Sequence, residues 1–339
     1  MNNNIETRKV QRTGGSSFII SLPKGWVVKS GIEKNDTLGI IAQPDGNLLI
    51  TPKFEDKAVL KSKEINIEGN ENPNFVFRLL IGTYIMGYSR IIVKSSRKME
   101  PKVRSIIRKF IRIAIGPEIL EESNNYVMMK DLLNPKEMPF EKTIKRMYIL
   151  AENMHRDAIN ALKERKKNLA KEVVNRDNEV DRLHWLIGRQ SHIVLRDIIL
   201  SQKMGVTLES AHHYQQMSRL LERVGDHAVK IAENVLKVID QKLDSNLLEK
   251  ILKASEISMK ALTNSMDAWM QNDITIANEN IESISELVNL CEDINIDPGH
   301  IKVESYIAIG YIVESIRRTG EYAADICEII INNLINSEE

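Results

Sequence analysis

Four carboxylates stand in two pairs at helical spacing. Asp177 and Asp181 are four positions apart, as are Glu222 and Asp226, so each pair shares one side of a helix. If the two helices run antiparallel and turn near Met204, the pairs lie about 25 and about 20 residues from the turn, a mismatch of ~7 Å at 1.5 Å per residue. A modest shift of the turn levels them. Four acids on two facing helices repel one another unless a cation holds them. Oxygen ligands of this kind suit hard cations or iron. Asp177, Asp181, Glu222 and Asp226 are thus candidate metal ligands, with the ion (iron, zinc, magnesium or similar) left open. The alternative makes both pairs solvated faces with Arg182 and Arg223 as partners.

Two E-x-x-H elements also occur, Glu152/His155 and Glu209/His212. In di-iron bundles two such elements meet two further carboxylates at one level. Here Glu209 lies close to the turn near Met204 and Glu152 far from it, so a shared di-iron centre is not expected. Glu152 and His155 either approach the level of Asp177 and Asp181 or are ordinary exposed helical residues, and the second reading is preferred.

A third cluster is basic. Arg8, Lys9, Arg12 and Lys24 surround Gly14-Gly15. Two copies on a dimer would make a surface suited to phosphates; the plain alternative is a solvated strand. No base-reading element is identifiable, nor a P-loop, a nucleophile elbow or a Cys/His zinc pattern.

The elements that must position these residues fall into three regions. Residues 1–53 read as strands and turns. Phe18–Leu22 is a strand broken by Pro23, Lys24–Ser30 a helical turn closed at Gly31, and Thr37–Ala42 a strand returning through Pro44–Asn47 to Leu48–Ile50. So short a segment buries little on its own and is expected to fold as a dimer. Residues 54–135 mix periods: a helix over Phe75–Met86 stopped by Gly87, a strand at Arg90–Lys94, a helix from Pro101 to Ile115, then two strands around Asn124-Asn125. This predicts a small α/β connector.

Residues 138–336 carry a helical period broken only at Gly205, Asp240–Asp244, Asn272-Asp273 and Asp297–Gly299, which gives about six helices. ERVGDHAVKIAE at Glu222–Glu233 and RRTGEYAADICE at Arg317–Glu328 read as copies of one pattern, about 95 residues apart from Gly225 to Gly320. Two tandem three-helix units follow, 138–240 and 241–336. In the second copy Arg317 stands where Glu222 stands in the first, and Glu321 where Asp226 stands. A guanidinium cannot ligate and repels cations. Glu282 and Glu286 form a four-spaced pair nearby, of ambiguous alignment. The second unit is expected to hold metal weakly or not at all.

Composition bounds the rest. The 47 basic and 47 acidic residues cancel in a chain of 339, so any nucleic-acid surface is local. No apolar run is long enough to span a bilayer, and MNNNIETRKVQ has no signal-peptide core. Cys291 and Cys327, the only cysteines, lie among apolar residues of helical pattern and read as packing residues. A cytoplasmic protein without membrane insertion is expected.

The stretches RDNEVDRLHWLIGRQ and LERVGDHAVKIAEN make residues 138–336 resemble the PhoU family of phosphate-signalling proteins. The resemblance implies two three-helix bundles and a metal-binding acidic E/D-x-x-x-D motif. Arg8-Lys9-Val10, Gly14-Gly15-Ser16, Leu22-Pro23-Lys24 and Asp45-Gly46 make the first region similar to the swapped-hairpin AbrB family of dimeric DNA-binding domains. That order, with LLIGTYIMGYSRIIV between, is similar to phosphate-uptake regulators of archaea. The expected fold is mainly α with a small swapped-hairpin β head. The expected function is a DNA-binding, metal-containing regulator of phosphate uptake, not an enzyme. Its expected partners are DNA, a second copy held through the head, and components of a phosphate transporter. The rivals are an adaptor that docks on a transporter or signalling partner without touching DNA, and a bundle oxidase or metal store.

Overall fold

In the computed structural model residues 5–43, 46–52, 61–241, 243–294 and 302–336 are described. The chain forms two compact units, Met1–Val59 and Leu60–Glu339, and is mainly α-helical.

The first unit is built from two hairpins and a short helix. β1 (Gln11–Thr13) pairs antiparallel with β2 (Ser17–Ile19), turning through Gly14 at φ +64°, a conformation costly for a residue with a Cβ. Pro23 precedes α1 (Lys24–Ser30), and Gly31 ends it in the left-handed conformation expected of a helix stop. β3 (Gly39–Ala42) pairs antiparallel with β4 (Leu48–Thr51). Two of the three expected strands come out shorter, β2 stopping at Ile19 and β3 beginning at Gly39, while β4 extends one residue past Ile50. Pro44 and Asp45, half of the expected turn, lie outside the described residues. None of the described residues of this unit is buried.

The second unit opens with a sheet. β5 (Ser62–Ile67), α2 (Pro73–Ile85), β6 (Arg90–Ser95), α3 (Pro101–Ile113), β7 (Pro117–Glu122) and β8 (Tyr126–Asp131) follow in turn. The strand order is β5-β6-β8-β7, with β5 parallel to β6 and the other pairs antiparallel. β5 is an addition to the sequence reading. Only Ile65 and Ile67 turn inward there, too short an alternation to stand out. Tyr84, Leu80, Phe110, Val93 and Met129 form the core of this layer.

Eight helices follow among the described residues, not six: α4 (Phe140–Glu164), α5 (Lys167–Asn175), α6 (Asp177–Val194), α7 (Ile198–Met204), α8 (Leu208–Val238), α9 (Ser245–Gln271), α10 (Ile274–Glu292) and α11 (Val303–Asn336). The extra breaks have physical causes. Arg165 ends α4 at φ 54°, a left-handed cap without glycine. Arg176 remains right-handed at ψ −1°, a kink between α5 and α6 rather than a loop. Asp197 caps α7 by accepting from the Leu200 N–H. The break expected at Asp297–Gly299 lies outside the described residues. One continuous buried core runs through all these helices except α7, from Phe140 to Ile330. Cys291 and Cys327 are free thiols within it.

The two bundles repeat with an internal register. The same 107 positions separate the left-handed caps Arg165 and Asn272. They also separate Val180 and Leu287, the residues met by a Cβ built on Gly225 and on Gly320. The bundles pack about a pseudo-twofold axis. His227 and Tyr322, equivalent at the 95-residue spacing of α8 and α11, face each other with ring centroids 5.7 Å apart. On α4 and α9 the hydrogen bonds Tyr148–Thr263 and His155–Ser255 are near mates across the same axis.

The α/β layer is joined to the first bundle through α6. Arg189, only 3% exposed, pairs with Asp131 of β8 at 2.6 Å. It also donates to the carbonyls of Tyr84 and Tyr88 at 2.7 and 3.0 Å and lies 4.8 Å from the Tyr84 ring centroid.

Candidate metal centre and nucleic-acid interface

Asp177 is the first residue of α6 and Asp181 lies one turn on; Glu222 and Asp226 lie in the middle of α8. The link between these helices runs from Leu195 to Thr207 and is centred on Ser201, three positions before Met204. That shift brings the two pairs level. Gly225 allows the helices to close: a Cβ there would stand 3.3 Å from a Val180 methyl.

One carboxylate oxygen from each of Asp177, Asp181 and Asp226 lies within 4.8 Å of the others. No other such group of three ligand side chains occurs among the described residues. Glu222 stands beside the trio. Burial first, then the charges of Asp177, Glu222 and Asp226, push the Asp181 carboxyl up to about 7. Burial and Asp226 push Glu222 up to about 7 as well, and Asp226 is raised by burial and by Asp177. A part-buried, oxygen-only cluster whose members raise one another's proton affinity is chemically suited to a hard cation. Arg223, one of the alternative partners, lies over the Tyr322 ring at 5.6 Å, and its charge opposes part of the rise at Glu222 and Asp226.

The second bundle lacks this arrangement. The 107-residue register sets Ile284 opposite Asp177 and Val288 opposite Asp181. Arg317, at the place of Glu222, is held by Glu314 and Glu321 at 2.8 Å each. Glu282 and Glu286 are therefore not the counterparts of the aspartates, and Glu286 lines a groove between α9 and α10.

The E-x-x-H elements divide. Glu152 pairs with Arg156 at 2.8 Å. His155 is fully buried and its Nε2 is 3.0 Å from Ser255 Oγ, so the reading of it as an exposed residue is corrected. The signal was present, since His155 falls in step with Ala151, Met154, Ala158 and Leu162 on the core stripe of α4. His212 and Glu209 are exposed on α8. Neither element joins the carboxylate cluster.

In the first unit Arg8, Lys9, Arg12 and Lys24 are all exposed. Arg8 bonds Glu6 and the Thr7 carbonyl, and Arg12 donates to the Gly15 carbonyl, spanning the β1–β2 turn. Phe18 is 73% exposed, Val28 70% and Ile40 67%, an apolar surface with no interior of its own.

Comparison with known proteins finds a match in each of two segments. Residues 144–235 match the model of the PhoU domain. Residues 11–56 match that of the antidote-toxin recognition protein MazE, a bacterial antitoxin. A phosphate-specific transport system accessory protein PhoU homolog of Caulobacter vibrioides is 29% identical over 203 residues, 58% of this chain and 86% of that one. PhoU homolog 1 of Thermotoga maritima is 22% identical over 196 residues, 55% of this chain and 82% of that one. The crystal structure of PhoU from Pseudomonas aeruginosa aligns at TM-score 0.49 and 18% identity, over 58% of this chain and 96% of that chain. No helix among the described residues is long and apolar enough to cross a membrane. The chain thus carries a PhoU domain in its first helical bundle, behind an N-terminal domain of the AbrB-like MazE antitoxin kind.

Proposed function

We propose that this chain is a DNA-binding regulator of phosphate uptake whose helical body reports its state through a carboxylate-held metal ion. The observation that carries the reading is the pairing, in one chain, of a cation-bearing AbrB-like head with a PhoU domain. The relatives of that domain are named as accessory proteins of phosphate-specific transport. Asp177, Asp181, Glu222 and Asp226 would hold the ion; its charge would neutralise four acids that otherwise oppose the close packing of α6 on α8. The head would dimerise, a second copy covering the apolar side chains that its described residues expose. Arg8, Lys9, Arg12 and Lys24 of both copies would then contact DNA phosphates.

The test is binding of the full chain to promoter fragments of phosphate-transport genes across a salt series. Changing Arg8, Lys9 and Arg12 to Ala should weaken binding. It should also flatten the slope of log K against log salt by roughly one unit for each phosphate interaction removed. Equal binding by the triple variant would reject the assignment to these residues, and no binding by the unaltered chain would favour an adaptor that docks on a transporter or signalling partner. That second reading draws on the local hydrogen bonds of Arg8 and Arg12, which occupy part of their donors within the head. Genome-wide footprinting at high and low phosphate would then identify the operator and the signal.

A further inference from the structure

The two bundles differ in one groove as sharply as in their carboxylates. In the first, the groove between α4 and α5–α6 is bridged: Arg176 reaches across to the Asp157 carboxylate. At the 107-residue register Ser283 replaces Arg176 and Asn264 replaces Asp157. Ser283 is too short to cross and turns its hydroxyl back to the Asn280 carbonyl at 2.7 Å. The groove between α9 and α10 is left open, with a volume of about 710 Å³.

Its charged lining is acidic on balance. Glu256, Asp267, Glu279 and Glu286 outnumber Lys253 and Lys260, and none of these six forms an ion pair among the described residues. Asn280 also lines the groove and is 2% exposed. Its Nδ2 is fixed by the Ala261 carbonyl at 2.9 Å, while its Oδ1 has no hydrogen-bond partner. The first bundle has the fully buried Val173 at that place. An amide in an otherwise apolar position, with its acceptor unpaired, costs stability unless a donor arrives.

We propose that the α9–α10 groove binds a small aliphatic molecule bearing a guanidinium group, which takes the place that Arg176 fills in the first bundle. A guanidinium offers five N–H donors in a planar fork and pairs two-pronged with carboxylates. Asp267 and Glu279 stand one turn from Asn264 and Ser283 and supply the counter-charge. Glu256 and Glu286 lie further along for a second, ammonium end.

The test is calorimetric titration of the full chain with agmatine at low salt. One-to-one binding is expected, with Kd on the order of 1 mM or tighter for so small a ligand. The double variant Asp267→Asn, Glu279→Gln should bind at least tenfold more weakly. Ser283→Arg with Asn264→Asp rebuilds the first bundle's bridge; it should abolish binding and raise Tm. Putrescine, which carries an amine in place of the guanidinium, should bind more weakly than agmatine. Asp181→Asn with Asp226→Asn should leave agmatine binding unchanged. The proposal is overturned by no heat at about 10 mM agmatine, by unchanged binding in the bridged variant, by equal affinity for putrescine, or by loss of binding in the Asp181, Asp226 variant, which would move the amine to the other cluster.

Discussion

Asp181 has three acids around it, Asp177, Glu222 and Asp226. Asp181→Ala with Asp226→Ala should remove most bound metal, measured as metal per chain by elemental analysis on protein purified without chelator. Glu282→Ala with Glu286→Ala should remove little, because these residues belong to another face of α10. In the second bundle Ile284 and Val288 offer no ligand, and Arg317 adds repulsion of about 4 kcal/mol at ~4 Å and an effective dielectric of 20, worth roughly three decades of affinity. Equal stripping by both pairs would show the asymmetry to be wrong. His155 gives a second residue-level outcome. Burial, then the charges of Arg156 and His227, depress it from 6.5 to about 3. The unfolded chain therefore binds a proton that the folded chain refuses between those values. The stability from neutral burial is complete above pH 6.5 and falls as pH drops toward 3, by up to about 1.4 kcal/mol per unit. In urea melts His155→Gln should cost stability at pH 7, and its deficit should shrink steadily toward pH 4.5; a constant deficit would show that His155 does not resist protonation. The carboxylate quartet was legible because a four-residue spacing fixes a helix face. The alignment of Glu282 and Glu286 was not, since only a three-dimensional neighbour, Leu287 against Gly320, sets the register.

Helix ends and joints show a similar division. The glycine stops at Gly31 and Gly205 could be read because their left-handed backbone favours residues without a Cβ. Arg165 could not be read, since an arginine adopts φ 54° there only because the two helices it links must turn. The Arg189–Asp131 joint was likewise hidden, its partners being 58 positions apart. Arg189→Ala leaves the Asp131 carboxylate buried and unpaired, and should destabilise the second unit by about 3–5 kcal/mol. Replacing both, Arg189→Met with Asp131→Leu, should recover most of that loss, because no charge is then stranded. Denaturant midpoints of the three proteins decide it: if the double variant is as unstable as the single one, the hydrogen bonds to Tyr84 and Tyr88, not the charge pair, hold the joint.

For the molecule as a whole, the mainly helical fold with a β head followed from periodicity and turn residues, whereas the extra strand β5 and the kink at Arg176 needed the packed structure. Deleting residues 1–53 should lower the oligomeric state measured by light scattering, since the head exposes apolar side chains such as Phe18, Val28 and Ile40. An unchanged oligomeric state would reject a dimer held through the head, unless the helical body itself associates. Among the described residues the carboxylate cluster occurs once in a duplicated body, and for the proposed metal-responsive regulator that would have a numerical consequence. A head-joined pair would carry two input positions, not four, and so only three occupancy states: empty, half-filled and full. Its response to rising metal could then be no steeper than a Hill coefficient of two, and a half-filled pair would present one altered and one unaltered arm to a symmetric operator.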